Sequence, residues 1–336
     1  MMIRKVWKLA RRPVGDIADS DLELVNEALP ELADGQFLLA VIYMSLDPTN
    51  RIWMSDQEQY MPPVELGAPM RAGVCGRVVA SRKSGVEPGQ IMAGLGEWAD
   101  HIISDGSFMS LLPQLPGVPL AASYGTLALV GPTAYFGLLD IGQPKPGETL
   151  VVSAAAGGVG QIVGQIGKIK GCRVIGIAGG KAKCDYVVNE LGFDACIDYK
   201  NEDVGAALDR LAPGGIDINF EQVGGPIMVE VMKRMKLFGR IALCGMISSY
   251  NDVTPNEPPG FWTMILMRRL LIRGFIVTDF APRFGESGMA LAGWMLGGQL
   301  KTRQDIRPGL ENAVSAVKEL YTGGNFGKLL IEVSKP

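Results

Sequence analysis

The stretch Thr149 to Gly164, TLVVSAAAGGVGQIVG, limits what this chain can fold into more than any other. Thr149 to Val152 is an apolar run rich in β-branched residues, and Ala154 to Gly160 is a string of small ones. From Gln161 apolar positions recur at helical spacing, so the segment reads as strand, tight glycine turn, helix. Such a turn has two uses. Its glycines can let the backbone approach a pyrophosphate, with the first amides of the helix and the positive end of its dipole facing the anion. Alternatively, small residues simply pack a strand end closely against a helix. The spelling is Ala154-x-x-Gly157-x-x-Gly160 with Gly158 inside, not the strict GxGxxG, so the turn alone leaves both uses open.

The next turn bears on the choice. A second apolar strand, Arg173 to Ala178, follows the helix. At its end, about 20 residues past the glycines, an NAD site places an acid on the ribose 2′-hydroxyl. This chain has Gly179-Gly180-Lys181-Ala182-Lys183 instead. A carboxylate repels a 2′-phosphate and an ammonium pairs with it, so the residue types predict NADP(H) over NAD(H). Lysines at a helix start oppose the dipole, which suits a bound anion; the alternative is that both are solvated residues opening a helix.

At 336 residues the chain is long enough for two cores. It is 47% hydrophobic and 20% charged, the balance of a globular protein rather than a disordered one. A net charge of −3 and the lack of a long basic run argue against a nucleic-acid partner. Cys75, Cys172, Cys184, Cys196 and Cys244 are scattered and odd in number, and no apolar signal segment opens the chain, so a reducing, cytoplasmic location is expected. The uncharged stretch from Ser107 to Leu139 is interrupted by Pro113, Pro116, Pro119 and Pro132, which predicts turns and a buried domain junction, not a membrane span.

Up to about Leu112, short apolar runs broken by Gly and Pro predict a compact, mostly-β domain: Phe37 to Met44, Cys75 to Ala80, Gln90 to Ala93 and Glu97 to Ile103. From Thr149 strands and helices alternate as in a doubly wound parallel sheet. Strands are expected at Thr149–Val152, Arg173–Ala178, Ala195–Asp198, Ile216–Glu221, Gly239–Cys244 and Leu271–Val277. Helices are expected at Gly158–Lys170, Lys183–Leu191, Glu202–Leu211, Ile227–Leu237 and Trp262–Arg268, then a tail helix at Leu310–Thr322 and a last strand at Leu329–Val333.

Seven separated segments together resemble one family: GPTAYFGLLDIG at 131–142, the AAAGGVG turn, ELGFDACIDYK at 190–200, VGG at 223–225, FGRIALCGMISSYN at 238–251, RGFIV at 273–277 and NFGKLLIEV at 325–333. The family is the zinc-independent medium-chain dehydrogenases/reductases, in particular the prostaglandin reductase, leukotriene 12-hydroxydehydrogenase and alkenal double-bond reductase branch. The resemblance implies a GroES-like catalytic domain at 1–130, an inserted Rossmann domain at 131–300 that binds NADP(H), and a return to the catalytic domain at 301–336, with the active site in the cleft between. It implies reduction of the carbon–carbon double bond of α,β-unsaturated ketones and aldehydes. Gly157, Gly158 and Val159 would hold the pyrophosphate, and Lys183 and Tyr199 the 2′-phosphate. Thr133 would lie by the nicotinamide, Gly245 and Ile247 along the cofactor, and Asn325 would reach it from the tail.

Conjugate reduction needs a hydride at the β-carbon and a donor for the charge developing on the carbonyl oxygen. With one histidine, His101, and no close cysteine pair in sequence, a metal site is not expected. Tyr250, on the loop after the fifth strand, matches the family's donor tyrosine, a role the cofactor's 2′-hydroxyl could share; the bland alternative is a tyrosine packed on the cleft wall. Thr49 stands where the family often has tyrosine, implying a wider, more polar pocket, and Gln222 replaces a family asparagine. Trp53, Tyr60, Met61, Phe261, Trp262 and Phe280 are candidate pocket walls. Two other functions stay open, an NADPH:quinone oxidoreductase and an NADPH-binding protein without catalysis. The apolar edge near Leu271 to Val277 predicts a homodimer.

Overall fold

The computed structural model describes residues 2–253 and 262–336. The chain divides into two compact units, one made of Met1–Ala128, Gln304–Asn325 and Leu329–Pro336, the other of Leu129–Arg303 and Phe326–Lys328.

The first unit opens with an antiparallel pair, β1 (Ile3–Leu9) and β2 (Leu22–Ala28). Val6 and Leu9 are buried and Lys5 is exposed, while Arg4 is buried through its ion pairs with Glu27 and Glu97. Next come β3 (Phe37–Ser45), the short helix α1 (Thr49–Trp53), β4 (Arg71–Ser81), β5 (Ile91–Glu97), β6 (His101–Ser104), β7 (Met109–Leu111) and α2 (Leu120–Leu127). Helix α2 occupies part of the proline-punctuated stretch read as turns. Its first residue follows Pro119, whose ring ends the preceding loop without needing an N–H.

The second unit begins with α3 (Val130–Phe136), which continues as a π-helical turn over Gly137–Gly142. It then alternates: β8 (Thr149–Val152), α4 (Gly160–Ile169), β9 (Arg173–Ala178), α5 (Lys181–Asn189), β10 (Ala195–Asp198), α6 (Val204–Leu211), β11 (Ile216–Glu221), α7 (Gly225–Met232), β12 (Met235–Leu243), α8 (Trp262–Arg268), β13 (Leu271–Gly274) and α9 (Phe284–Leu296). The tail adds β14 (Gln304–Pro308), α10 (Ala313–Thr322) and β15 (Lys328–Glu332).

The first unit's main sheet runs β14-β15-β3-β4-β5-β7, with β6 on β3, over a core that includes Phe37, Leu39, Met44, Trp53 and Trp98. The sheet of the second unit is wholly parallel, in the order β10-β9-β8-β11-β12-β13, the doubly wound Rossmann arrangement. Its central strands are buried on both faces, which is why they read as unbroken apolar runs.

Several boundaries differ from expectation, most of them by a residue or a few. The apolar spacing read as a helix from Ile227 to Leu237 breaks at Lys233, and Met235 already pairs with Ile216, ahead of a register shift in β11. Strand β13 stops at Gly274, paired to Leu243, the last residue of β12. The following Phe275 leaves the ladder to pack on Gly137 and Phe220. Helix α5 begins at Lys181, two residues before Lys183.

Candidate cofactor and active site

The parallel strand order reverses between β8 and β11, and the chain leaves β8 at that point through the glycine turn into α4. Ala154 takes φ +48°, which makes the turn sharp. Within it the Gly157 amide donates to the Ala154 carbonyl at 2.9 Å and the Gln161 amide to Gly157 at 3.1 Å. Among the described residues, the amides of Gly158, Val159 and Gly160 between them donate to no protein acceptor. Three successive N–H groups at the start of a ten-residue helix form a concave donor set for an anion.

The glycines are not alike. A methyl on Gly164 would lie 1.7 Å from the Phe193 ring, and one on Gly160 only 2.3 Å from the Ala154 carbonyl oxygen, so both are demanded by packing. A methyl on Gly157 would meet only that carbonyl, at 3.1 Å, and one on Gly158 the flexible Lys328 chain at 3.0 Å. Packing therefore accounts for Gly160 and Gly164 and leaves Gly157 and Gly158 with room beside them. Lys328 arrives with the tail: Gly327 donates to the Ala156 carbonyl at 3.0 Å, and Lys328 N–H to Arg303 at 2.9 Å.

At the end of β9, Gly180 has φ +98° and its amide donates to Asp198 Oδ1 at 2.7 Å. No acid lies in the first turn of α5. Lys181 is 83% exposed and pairs with Asp185 at 2.5 Å. Lys183, two residues on, is half-buried, and Tyr199 is exposed at the end of β10. A methyl on Gly179 would lie 2.9 Å from the Tyr199 ring and 3.0 Å from Lys200 Cε, which shows both side chains lying over this turn. Lys200 is a cation that the sequence reading passed over. Asp198, whose carboxylate accepts from Asn201, Gly180 and Lys200 amide groups, is held below the ordinary carboxylate range, chiefly by the Asn201 hydrogen bond.

Across the reversal point, the fully buried Glu221 carboxylate accepts from Ser153 Oγ (2.9 Å), Asn219 Nδ2 (2.9 Å) and the amides of Gln222 (3.0 Å), Val223 (2.7 Å) and Gly224 (3.0 Å). Gln222 Nε2 in turn donates to the Ser153 carbonyl at 2.5 Å. The end of β12 is tied to the same loop by Cys244 and Gly245 amides on Glu221 O and Ile247 N–H on Gln222 O. These bonds hold three strand ends together beside the glycine turn. Sequence offered a signal for them only in the acid and glycines of Glu221 to Gly225.

Tyr250 follows the 3₁₀ turn Ile247–Ser249, and its hydroxyl oxygen accepts the Met246 amide at 3.0 Å, against Gly245. Gly245 and Ile247 thus share the end of β12 with Tyr250. Thr133, half-buried on α3, donates its hydroxyl to the Leu129 carbonyl at 2.7 Å.

Two family models match the chain: the N-terminal domain of oxidoreductase over residues 5–112 and zinc-binding dehydrogenase over 158–292. An NADPH-dependent curcumin reductase of Escherichia coli is 41% identical over 98% of this chain and 96% of the relative. Prostaglandin reductase 1 of Rattus norvegicus is 38% identical over 99% of this chain and all of that protein. The crystal structure of CurA from Vibrio vulnificus in complex with NADPH superposes with a TM-score of 0.93 at 41% identity, covering 99% of this chain and 100% of that one. The chain belongs to the zinc-independent medium-chain dehydrogenase/reductase family. It is an oxidoreductase.

One matching model of this family carries zinc binding in its description. Among the described residues no group of three or more His, Cys, Asp and Glu side chains is placed to hold an ion. His101 lies on β6, its Nδ1 3.2 Å from Asp100, with no cysteine in the same strand.

The remaining candidates of this family member divide by unit. Thr49 and Tyr60 hydrogen-bond through their hydroxyls in the first unit, and Asn325 belongs to that unit, between α10 and β15. Trp53, expected at a pocket wall, is 4% exposed and sits in that unit's core, with the Arg71 guanidinium over its ring at 5.3 Å. Met61 packs against the same core. Phe280 stacks on Phe136 at 4.7 Å in the second unit. Trp262 is the first residue of α8, and Phe261 lies outside the described residues.

Proposed function

We propose that this oxidoreductase uses NADPH to reduce the carbon–carbon double bond of α,β-unsaturated ketones and aldehydes. One observation carries the reading: three unused amides at the reversal point of the sheet stand next to a second turn that bears Lys183 and no acid. The first set suits a pyrophosphate and the second a 2′-phosphate. Gly157, Gly158 and Val159 hold the former, Lys183 and Tyr199 the latter, with Thr133, Gly245 and Ile247 along the nicotinamide half. When bound, the cofactor supplies the hydride. The names of the curcumin and prostaglandin reductase relatives support a conjugated carbonyl as substrate.

Tyr250 assists by hydrogen-bonding to the carbonyl oxygen as negative charge develops there and by helping to protonate the product. Its oxygen is oriented by the Met246 amide, and a phenol can donate while accepting. The test is loss of NADPH absorbance, with NADH as control, against aryl enones, alkenals and quinones, with product masses read afterwards. Enones should gain two hydrogens with NADPH preferred, and Tyr250→Phe should lower kcat about a hundredfold while NADPH binding is unchanged. Turnover of quinones alone would replace this reading by a quinone reductase. Tight NADPH binding with no acceptor reduced would replace it by a binding protein.

The edge strand β13 supports a homodimer. It ends the sheet, and Leu271 on it and Leu266 and Met267 before it are exposed. Sedimentation at micromolar concentration should show twice the 36.0 kDa chain; a 36.0 kDa species alone would contradict it.

A further inference from the structure

Two thiols that the reductase chemistry does not use stand side by side. Cys184 in the first turn of α5 and Cys196 on β10 bring their sulfurs to 2.6 Å, well inside ordinary non-bonded sulfur contact, and both are partly exposed. The other three cysteines are held as inert thiols: burial pushes Cys75 and Cys244 up to about 12 and Cys172 up to about 11. Cys184 differs in kind. The hydrogen bond from Cys196 holds its thiol below the ordinary value, against burial and the nearby carboxylates of Asp198, Glu202 and Asp185, while Cys196 keeps its proton and is pushed up. One sulfur is thus set to attack and the other to resolve.

We propose that Cys184 and Cys196 form a redox-active dithiol that closes reversibly to an intrachain disulfide beside the nucleotide site. The oxidant is a peroxide. The Cys184 thiolate attacks one peroxide oxygen and the O–O bond breaks, leaving a sulfenic acid and a hydroxide that takes up the proton Cys184 had released. The Cys196 sulfur then displaces hydroxide from the sulfenic acid, the S–S bond forms, and that hydroxide leaves with the Cys196 proton as a second water. Two electrons pass from the sulfur pair to the peroxide, and a dithiol reductant returns them. Closing the bond moves the sulfurs together by roughly 0.5 Å, so neither α5 nor β10 has to leave its place.

The two elements joined are those that carry Lys183, next to Cys184, and Tyr199, at the end of β10. This location rests on the 2′-phosphate reading above. A phosphate held there opposes the neighbouring thiolate by like charge and slows the first step.

The experiment uses the reduced full-length protein with limiting hydrogen peroxide, an alkylating quench and peptide mass mapping. The expected product is a linked Cys184–Cys196 peptide, two hydrogens lighter, formed at least tenfold faster than any other cysteine reacts and reversed by dithiothreitol. Cys184→Ser and Cys196→Ser should each abolish it, and the wild-type map stands even where a variant misfolds. NADPH should slow closure several-fold and NADH should not. Oxidation of Cys184 with Cys196 still open to alkylation, or equal reactivity at Cys75, Cys172 and Cys244, would overturn the proposal. A linked peptide formed at equal rates with NADPH and NADH would keep the dithiol and reject the phosphate placement at Lys183.

Discussion

Gly157 and Gly164 belong to the same strand–turn–helix stretch, yet their surroundings are opposite. At Gly164 the space of a side chain is already filled by the Phe193 ring, which packs directly on α4. At Gly157 the space is bounded only by a carbonyl oxygen of the turn itself, next to three amides with no protein acceptor among the described residues. One glycine is occupied by the fold, and the other is left open by it. A glycine pattern therefore mixes positions that packing requires with positions that packing leaves open, and only their neighbours separate them.

The largest effect is expected at Gly164. Gly164→Ala should cost about 3 kcal/mol or more through overpacking and lower Tm by at least about 6 °C in a thermal melt, with cofactor affinity changing only as the fold fails. Gly157→Ala should do the reverse. Its melt should shift by less than about 1 kcal/mol, while NADPH affinity measured by titration falls about tenfold or more, because a methyl stands where the pyrophosphate approaches. If the two variants lost stability alike, both glycines would be packing residues. The smallest effect sharpens the comparison at the neighbouring turn: Lys183→Ala should weaken NADPH about fivefold to tenfold and leave NADH unchanged, since only the 2′-phosphate is lost as a partner. Equal weakening of both nucleotides would place Lys183 elsewhere.

The parallel strands were legible almost to the residue. Thr149–Val152, Arg173–Ala178, Ala195–Asp198 and Ile216–Glu221 are the observed spans, because a strand inside a helix-covered sheet is an apolar run bounded by turn residues. Strands β12 and β13 were less legible. Leu271 to Val277 reads as one strand, but the ladder ends where β12 ends, and Phe275 is drawn off by Gly137 and Phe220. In the first unit β1 and β2 were not expected from sequence, because charged residues share their inner surfaces: Arg4 and Lys8 on β1 pair with Glu27 on β2. For a site the limit is similar: residue type alone does not tell an aromatic's surroundings, and Trp53 lies buried in the core of its unit.

By itself the sequence determined what is local: the strand–turn–helix at Thr149 to Gly164, the lysines without an acid at the next turn, and the alternation that makes a parallel sheet. Tertiary structure alone decided which glycines are packed, how Ser153 and Gln222 gather around the buried Glu221, and that Cys184 and Cys196, unremarkable in spacing, meet at 2.6 Å. The physical reason is the same in each case. Backbone preference and residue type act within a few positions, whereas excluded volume, hydrogen-bond satisfaction and thiol reactivity depend on which distant atoms the fold brings into contact.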